Sequence, residues 1–164
     1  MPRELFVHED DWGQIEVLPT ACAEWCEHEL ARIEAFSSAH TAPDGAGWTD
    51  IYMRRPAPAA LCTLGVPFAT ATAAFAARLP AFDIVSSGSF SSPRPVPHVR
   101  GFGPAANAGI IVAPDSSADI ADMVSLVLNA SPDACADVLR AAKALTTLSP
   151  LILVDWHRGL LMQL

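Results

Sequence analysis

Several short stretches of this chain carry side chains whose types could do chemistry if their spacing were right. His8-Glu-Asp-Asp11, followed by Trp12 and Gly13, sets three consecutive carboxylates beside an imidazole. Hard cations take several oxygen ligands, but a calcium loop needs acids at alternating positions and a closing Glu, and neither is present. Cys22-Ala-Glu-Trp-Cys26-Glu-His28 offers zinc-type ligands. On a helix, however, Cys22 and Cys26 share one face while His28 is carried round by about 100° per residue, so one helix cannot bring all three to one ion. No CxxC pair exists to complete a four-ligand site with Cys62 or Cys135.

Ser86-Ser-Gly-Ser-Phe-Ser-Ser92 supplies hydroxyls, with His98 and Asp115 downstream. A serine hydrolase needs its nucleophile on a sharp strand-to-helix turn, usually within G-x-S-x-G, and this stretch runs into prolines instead. Gly101-Phe-Gly103-Pro-Ala-Ala106 mimics a phosphate-binding fingerprint. Gly109 and an apolar run follow too soon for the helix whose N-terminus would hold the phosphate, and Pro104 removes a backbone donor. It reads as a loop. No cysteine sits in an electropositive setting that would activate its thiol. The chain therefore reads as non-catalytic, with no cofactor and no metal implied.

Two sets of polar residues remain. One is Glu9, Asp10, Asp11 and Trp12, joined by Trp156 and Arg158 near the other chain end, where Asp155-Trp-His-Arg-Gly159 echoes Asp11-Trp-Gly13. An aromatic beside charges suits a protein interface. The other is Asp50, Tyr52, His98 and Arg100, which would line a small polar pocket under the segment 86–104 and offer an enzyme or small-molecule-binding alternative. If the sheet face opposite Ile15 and Ile51 is open, Glu16 and Asp50 would line a polar groove there with Gln14, Tyr52 and Arg54; an ordinary solvent-facing surface is the favoured alternative.

Charge narrows the partners. The net charge is −8 and the pI about 4.9. Nucleic acids and anionic membranes demand a cationic face, so both are disfavoured. A basic protein partner is electrostatically favoured, although negative charge also simply keeps an apolar chain soluble. Nine of the ten cations are Arg, a bias pointing to a GC-rich, bacterial coding sequence. The acids near the N-terminus leave no apolar run for an export signal, and the scattered cysteines suit reduced buried thiols, so a cytoplasmic location is expected. The uncharged stretch 56–77 is broken by Pro and Gly and reads as a strand and helix, not a membrane span. Its Ala-rich surface offers an interface for a homo-oligomer. In general type, small, acidic and without a catalytic motif, the chain resembles bacterial immunity and adaptor proteins. That likeness covers no specific motif and carries over no residue.

The elements that must position these residues follow from periodicity. Residues 5–7 and 14–18 read as an antiparallel pair joined by the acidic loop, with Gly13 in the turn and Pro19 as the stop. Thr20 caps a helix over 21–36, whose inward stripe is Cys22, Cys26, Leu30 and Ile33. Residues 48–56 alternate as a strand, with Ile51 and Met53 on one face and Asp50, Tyr52 and Arg54 on the other. Pro67 opens a helix carrying Phe68, Thr72, Phe75 and Leu79. Strands are expected over 82–85 and 109–112, and a long Ser/Pro-rich loop over 86–104. Helices are expected over 118–128 and from Ser131 with Pro132 at the first turn. A hairpin over 151–164 closes the chain. The expectation is a single α+β domain over residues 1–164. It has a mostly antiparallel or mixed sheet, hairpins at both chain ends and about four helices.

Overall fold

Apolar alternation builds the centre of the molecule, which the computed structural model describes for all residues, 1–164. Nine strands form, β1 (Glu4–His8), β2 (Ile15–Pro19), β3 (Ile84–Gly88), β4 (Arg94–Pro95), β5 (Arg100–Ala105), β6 (Ala108–Pro114), β7 (Ala121–Leu128), β8 (Leu151–Asp155) and β9 (Leu160–Gln163). Three helices accompany them, α1 (Ala23–His40), α2 (Phe68–Ala76) and α3 (Pro132–Ala142). The larger sheet has the order β5-β6-β7-β2-β8-β9, all antiparallel. A smaller sheet, β1-β3-β4, contains a parallel β1–β3 pair.

Successive strand residues point to opposite faces, and here both faces of the larger sheet are covered. Ile110, Val112, Val124, Leu126, Val17 and Leu153 turn towards Phe75 of α2 and Val138 of α3 in the main core. On the other face, Leu18, Ile152, Val154 and Trp156 pack beneath Cys22, Cys26, Leu30 and Ile33. Further along that face, Ile111 packs with Leu5 and Val7 of the small sheet and with Phe82. The molecule is thus a single three-layer α+β domain. Layer one is α2 and α3, layer two the large sheet, and layer three the small sheet beside α1.

Several expectations need correction. The acidic loop does not join a hairpin: β1 pairs β3 while β2 pairs β7 and β8, so the chain crosses between sheets at residues 9–14. The hairpin at the other end, β8–β9, forms as expected. Residues 121–128 are a strand, so there are three α-helices and not four. The apolar residues Met123, Val124, Val127 and Leu128 fit a helical stripe, but a strand buried on both faces carries apolar residues of both parities as well. Val124 lies in the main core, whereas Met123 and Val127 pack in the small-sheet cluster on the other face.

Residues 86–104 are not one irregular loop, since they contain the end of β3, all of β4 and most of β5. Gly101 and Gly103 are buried inside β5, and they are there for close packing. A Cβ on Gly103 would sit 2.1 Å from the Ala108 carbonyl oxygen and 2.9 Å from the Phe82 ring. Thr20 does not cap α1. It begins a 3-10 turn, Thr20–Cys22, and its hydroxyl is buried without a partner. Ser131 does cap α3, accepting from the Ala134 N–H with Pro132 in the first turn. Gly13 turns with φ +68°, the left-handed region that glycine enters freely.

Candidate functional site

Residues 48–56 carry the alternation of a strand but join neither sheet, Trp48 alone forming a bridge, to Thr41, and the sense of the alternation is reversed. Ile51 and Met53 are 81% and 82% exposed, while Tyr52 turns inward. The reason is Glu29, a fully buried carboxylate on α1. Buried charge is tolerated only when it is paired and hydrogen-bonded. Glu29 accepts from the Tyr52 hydroxyl (2.8 Å), the Arg55 N–H (3.0 Å) and Arg32 Nη1 (2.8 Å). Burial alone would push its carboxyl up, but these donors outweigh it and hold Glu29 below the ordinary carboxylate range. The same contact, with burial leading, pushes the Tyr52 hydroxyl up. Residues 48–56 are therefore a strap laid over α1 by its polar side chains.

A second polar cluster fixes the strap to the sheet. Glu16 faces the α1 side, where Arg54 Nη1 lies 3.0 Å from its Oε1. Trp156 Nε1 donates to the same carboxylate at 2.8 Å. The Arg54 guanidinium lies 4.3 Å from the Trp156 ring centroid, and Trp25 meets that ring edge-on at 5.8 Å. Ser125, directly opposite Glu16 on β7, donates to the Ile15 carbonyl and accepts from the Gly13 N–H. These groups form a polar seam between the two apolar clusters on this face. Below them Cys26 is sealed in, and burial, then Cys22 and Glu16, push its thiol up to about 12.

The β2–β8 pairing places Ile15 opposite Asp155 and so brings the two distant loops side by side. Glu9, Asp10 and Asp11 form an exposed 3-10 turn, and Asp155 to Arg158 form the β8–β9 tip. Between them lies a groove of about 380 Å³, walled by Asp10, Asp11, Asp155, His157 and Arg158 and floored by Leu126 to Asn129. A hollow of about 670 Å³ on the far side of the tip runs along α1 and includes Glu27, Glu34 and Leu161. Asp10, Asp11, Asp155, Glu27 and Glu34 thus flank one tip whose fixed cation is Arg158. Arg158 Nε already lies 3.8 Å from Asp155.

The two tryptophans do not project. Trp12 is half-buried and donates its indole N–H to Ser87, and Trp156 is only 5% exposed. Each supports its loop from below. Of the second set of residues, Asp50 and Tyr52 line a hollow with Phe36 and Trp48, whereas Arg100 lines a separate depression against α2. His98 is exposed in the turn before β5, with φ +68°. The structure does not gather these four around one pocket. Glu16 and Arg54 do meet, as anticipated for one polar face, but beneath the strap and against Trp156.

The serine-rich segment is committed elsewhere: Ser86 bonds Glu4, and Ser87 accepts from Trp12. Asp115 binds Ser117 and the Ile120 N–H in its own turn. No three His, Cys, Asp or Glu residues converge in a geometry suited to a metal ion. No helix is long and apolar enough to cross a membrane.

Sequence reasoning missed Glu29 and the pairing of the two loops. Glu29 had a signal: it occupies the stripe position between Cys26 and Ile33, where an acid demands donors from whatever covers it. The loop pairing depends on strand order, which no local pattern encodes. No protein-family model matches the chain, and no curated protein or solved structure matches it.

Proposed function

We propose that this chain is a non-catalytic interaction protein that receives a basic segment of a protein partner at the β8–β9 tip, in an adaptor- or immunity-like role. One observation carries the reading. Sheet pairing assembles Asp10 and Asp11 with Asp155 around a groove, and Glu27 and Glu34 extend the negative rim beyond the tip. The excess of acids over the one arginine, Arg158, around this concave surface gives it a net negative field that draws in a cation. The apolar floor from Leu126 to Leu128 suits the methylene stem of a Lys or Arg side chain, with the charged head at the acidic rim. The overall charge of −8 acts in the same direction.

The test is the binding of an arginine-rich peptide, followed by fluorescence anisotropy at low and high salt. Charge reversal at the rim, Asp10→Lys with Asp11→Lys, is expected to weaken binding by about tenfold or more and to flatten its salt dependence, chiefly through a slower on-rate. The same charge change at Glu24 and Asp133, exposed positions outside both hollows, controls for net charge. It should have a much smaller effect. Equal losses from the two pairs would overturn the assignment to the tip.

A further inference from the structure

Four strands end the two sheets: β1 and β4 in the smaller, β5 and β9 in the larger. A free sheet edge is a template for another chain, and natural edges are blunted with charge, Pro or a covering segment. Three of these edges are blunted. β1 carries Glu4, β4 consists of Arg94 and Pro95, and β5 carries Arg100 and Pro104. The edge of β5 is also covered, because Phe82 N–H bonds the Gly101 carbonyl and Gly103 N–H bonds the Pro80 carbonyl. β9, Leu-Leu-Met-Gln, has no charge, no proline and no covering strand.

The direction of its free groups is fixed by the hairpin. Leu164 N–H bonds the Leu151 carbonyl, and β9 pairs Met162 with Leu153 and Leu160 with Asp155. Antiparallel residues alternate between facing the partner strand and facing away. Leu160 and Met162 therefore spend their backbone groups on β8, while Leu161 and Gln163 turn theirs outward. The side chains divide the same way: Leu161 packs on the α1 side and Leu164 on the main core. Leu160 and Met162 extend the main-core face past its cover, and they stay 53% and 42% exposed.

We infer that β9 pairs with β9 of a second copy, antiparallel and centred on Met162, making one continuous sheet through two molecules. This register is self-complementary, as an isologous two-fold contact requires. Leu161 faces the partner's Gln163 and Gln163 faces the partner's Leu161, so every outward N–H and C=O finds a mate. Met162 meets the partner's Met162 at the close, non-hydrogen-bonded position, and Leu160 meets the partner's Leu164. Two copies each at −8 repel, and the four residues of β9 add no charge of their own to the seam.

Sedimentation velocity, run from low micromolar to near-millimolar protein, tests the pairing. The 17.4 kDa chain should approach twice that mass as concentration rises. Gln163→Pro removes only an outward N–H, a substitution that edge strands accept. Met162→Lys sets two ammonium groups opposite one another at the two-fold. Both variants should stay single-copy at every concentration while keeping the far-UV circular dichroism of the wild type. Ile51→Lys, on the exposed strap, should still dimerise. A wild-type chain that remains single-copy throughout overturns the pairing. So does dimerisation of the two β9 variants, or loss of dimerisation in Ile51→Lys.

Discussion

Trp156 and Arg54, 102 residues apart in the sequence, are held together by one carboxylate: Glu16 accepts the indole N–H at 2.8 Å and lies 3.0 Å from the guanidinium, which itself covers the indole at 4.3 Å. The arrangement fixes the base of the β8–β9 tip to β2 and to the strap. Trp156→Phe keeps much of the ring packing but strips Glu16 of a donor, and is expected to cost about 1.5–3 kcal/mol, the range for hydrogen bonds to charged groups. Trp156→Ala should cost about 3–5 kcal/mol by also opening a cavity against Trp25. Urea unfolding followed by circular dichroism measures both.

Glu29 holds the strap, so its loss should appear there first. Glu29→Leu leaves the Tyr52 hydroxyl and Arg55 N–H without their acceptor, and breaking a buried charged network of this kind costs about 3–5 kcal/mol. Native-state trypsin cleavage after Arg54 should accelerate well before global unfolding; the Arg55–Pro56 bond resists trypsin. Tyr52→Phe, which removes one donor of three, should give a smaller effect in the same assay.

The same carboxylate sets an acid limit. Its folded pKa lies below the ordinary value of 4.5, so its stabilisation is fully present above about pH 4.5 and is lost as pH falls through the folded value. Urea midpoints measured between pH 7 and pH 3 should fall more steeply in the wild type than in Glu29→Gln.

Alkali acts through Cys26, and the direction is opposite. Its thiol titrates near 12 when folded against about 9 ordinarily. The unfolded chain therefore releases its proton first, and stability declines as pH rises from about 9 towards 12. Cys26→Ala should flatten that decline. In the native protein at pH 8, thiol reagents should label Cys62 and Cys135 ahead of the buried Cys22 and Cys26.

Gly103→Ala tests the close approach of β5 to its neighbour β6. The added Cβ would meet backbone at 2.1 Å, so β5 must shift. A loss of about 1–3 kcal/mol or more is expected, as for overpacked sites. Thermal unfolding should register it as a lower Tm with no change at the tip.

Several individual elements were legible from periodicity alone. The inward stripe of α1, the Ser131-Pro132 start of α3 and the β8–β9 hairpin all follow local rules that tertiary structure left intact. Three features were not legible, each for a non-local reason. β7 is buried on both faces, so its apolar run fits a helical stripe equally well. Gly101 and Gly103 look like a loop until Phe82 is seen resting on them. The strap's alternation is visible in sequence, but which side turns inward depends on Glu29, a residue on another element. Of the candidate site, the acidic residues and Arg158 were readable as types. Their meeting around one groove required the β2–β8 pairing.

The measurement that bears most directly on the acidic tip is a titration of the isotopically labelled protein with an arginine-rich peptide, followed by amide NMR. The account predicts shifts concentrated at Asp10 to Gln14, Leu126 to Asn129 and Asp155 to Arg158, the residues around one groove. Shifts as large at acids outside both hollows, such as Glu24 and Asp133, with none concentrated at the groove, would contradict it.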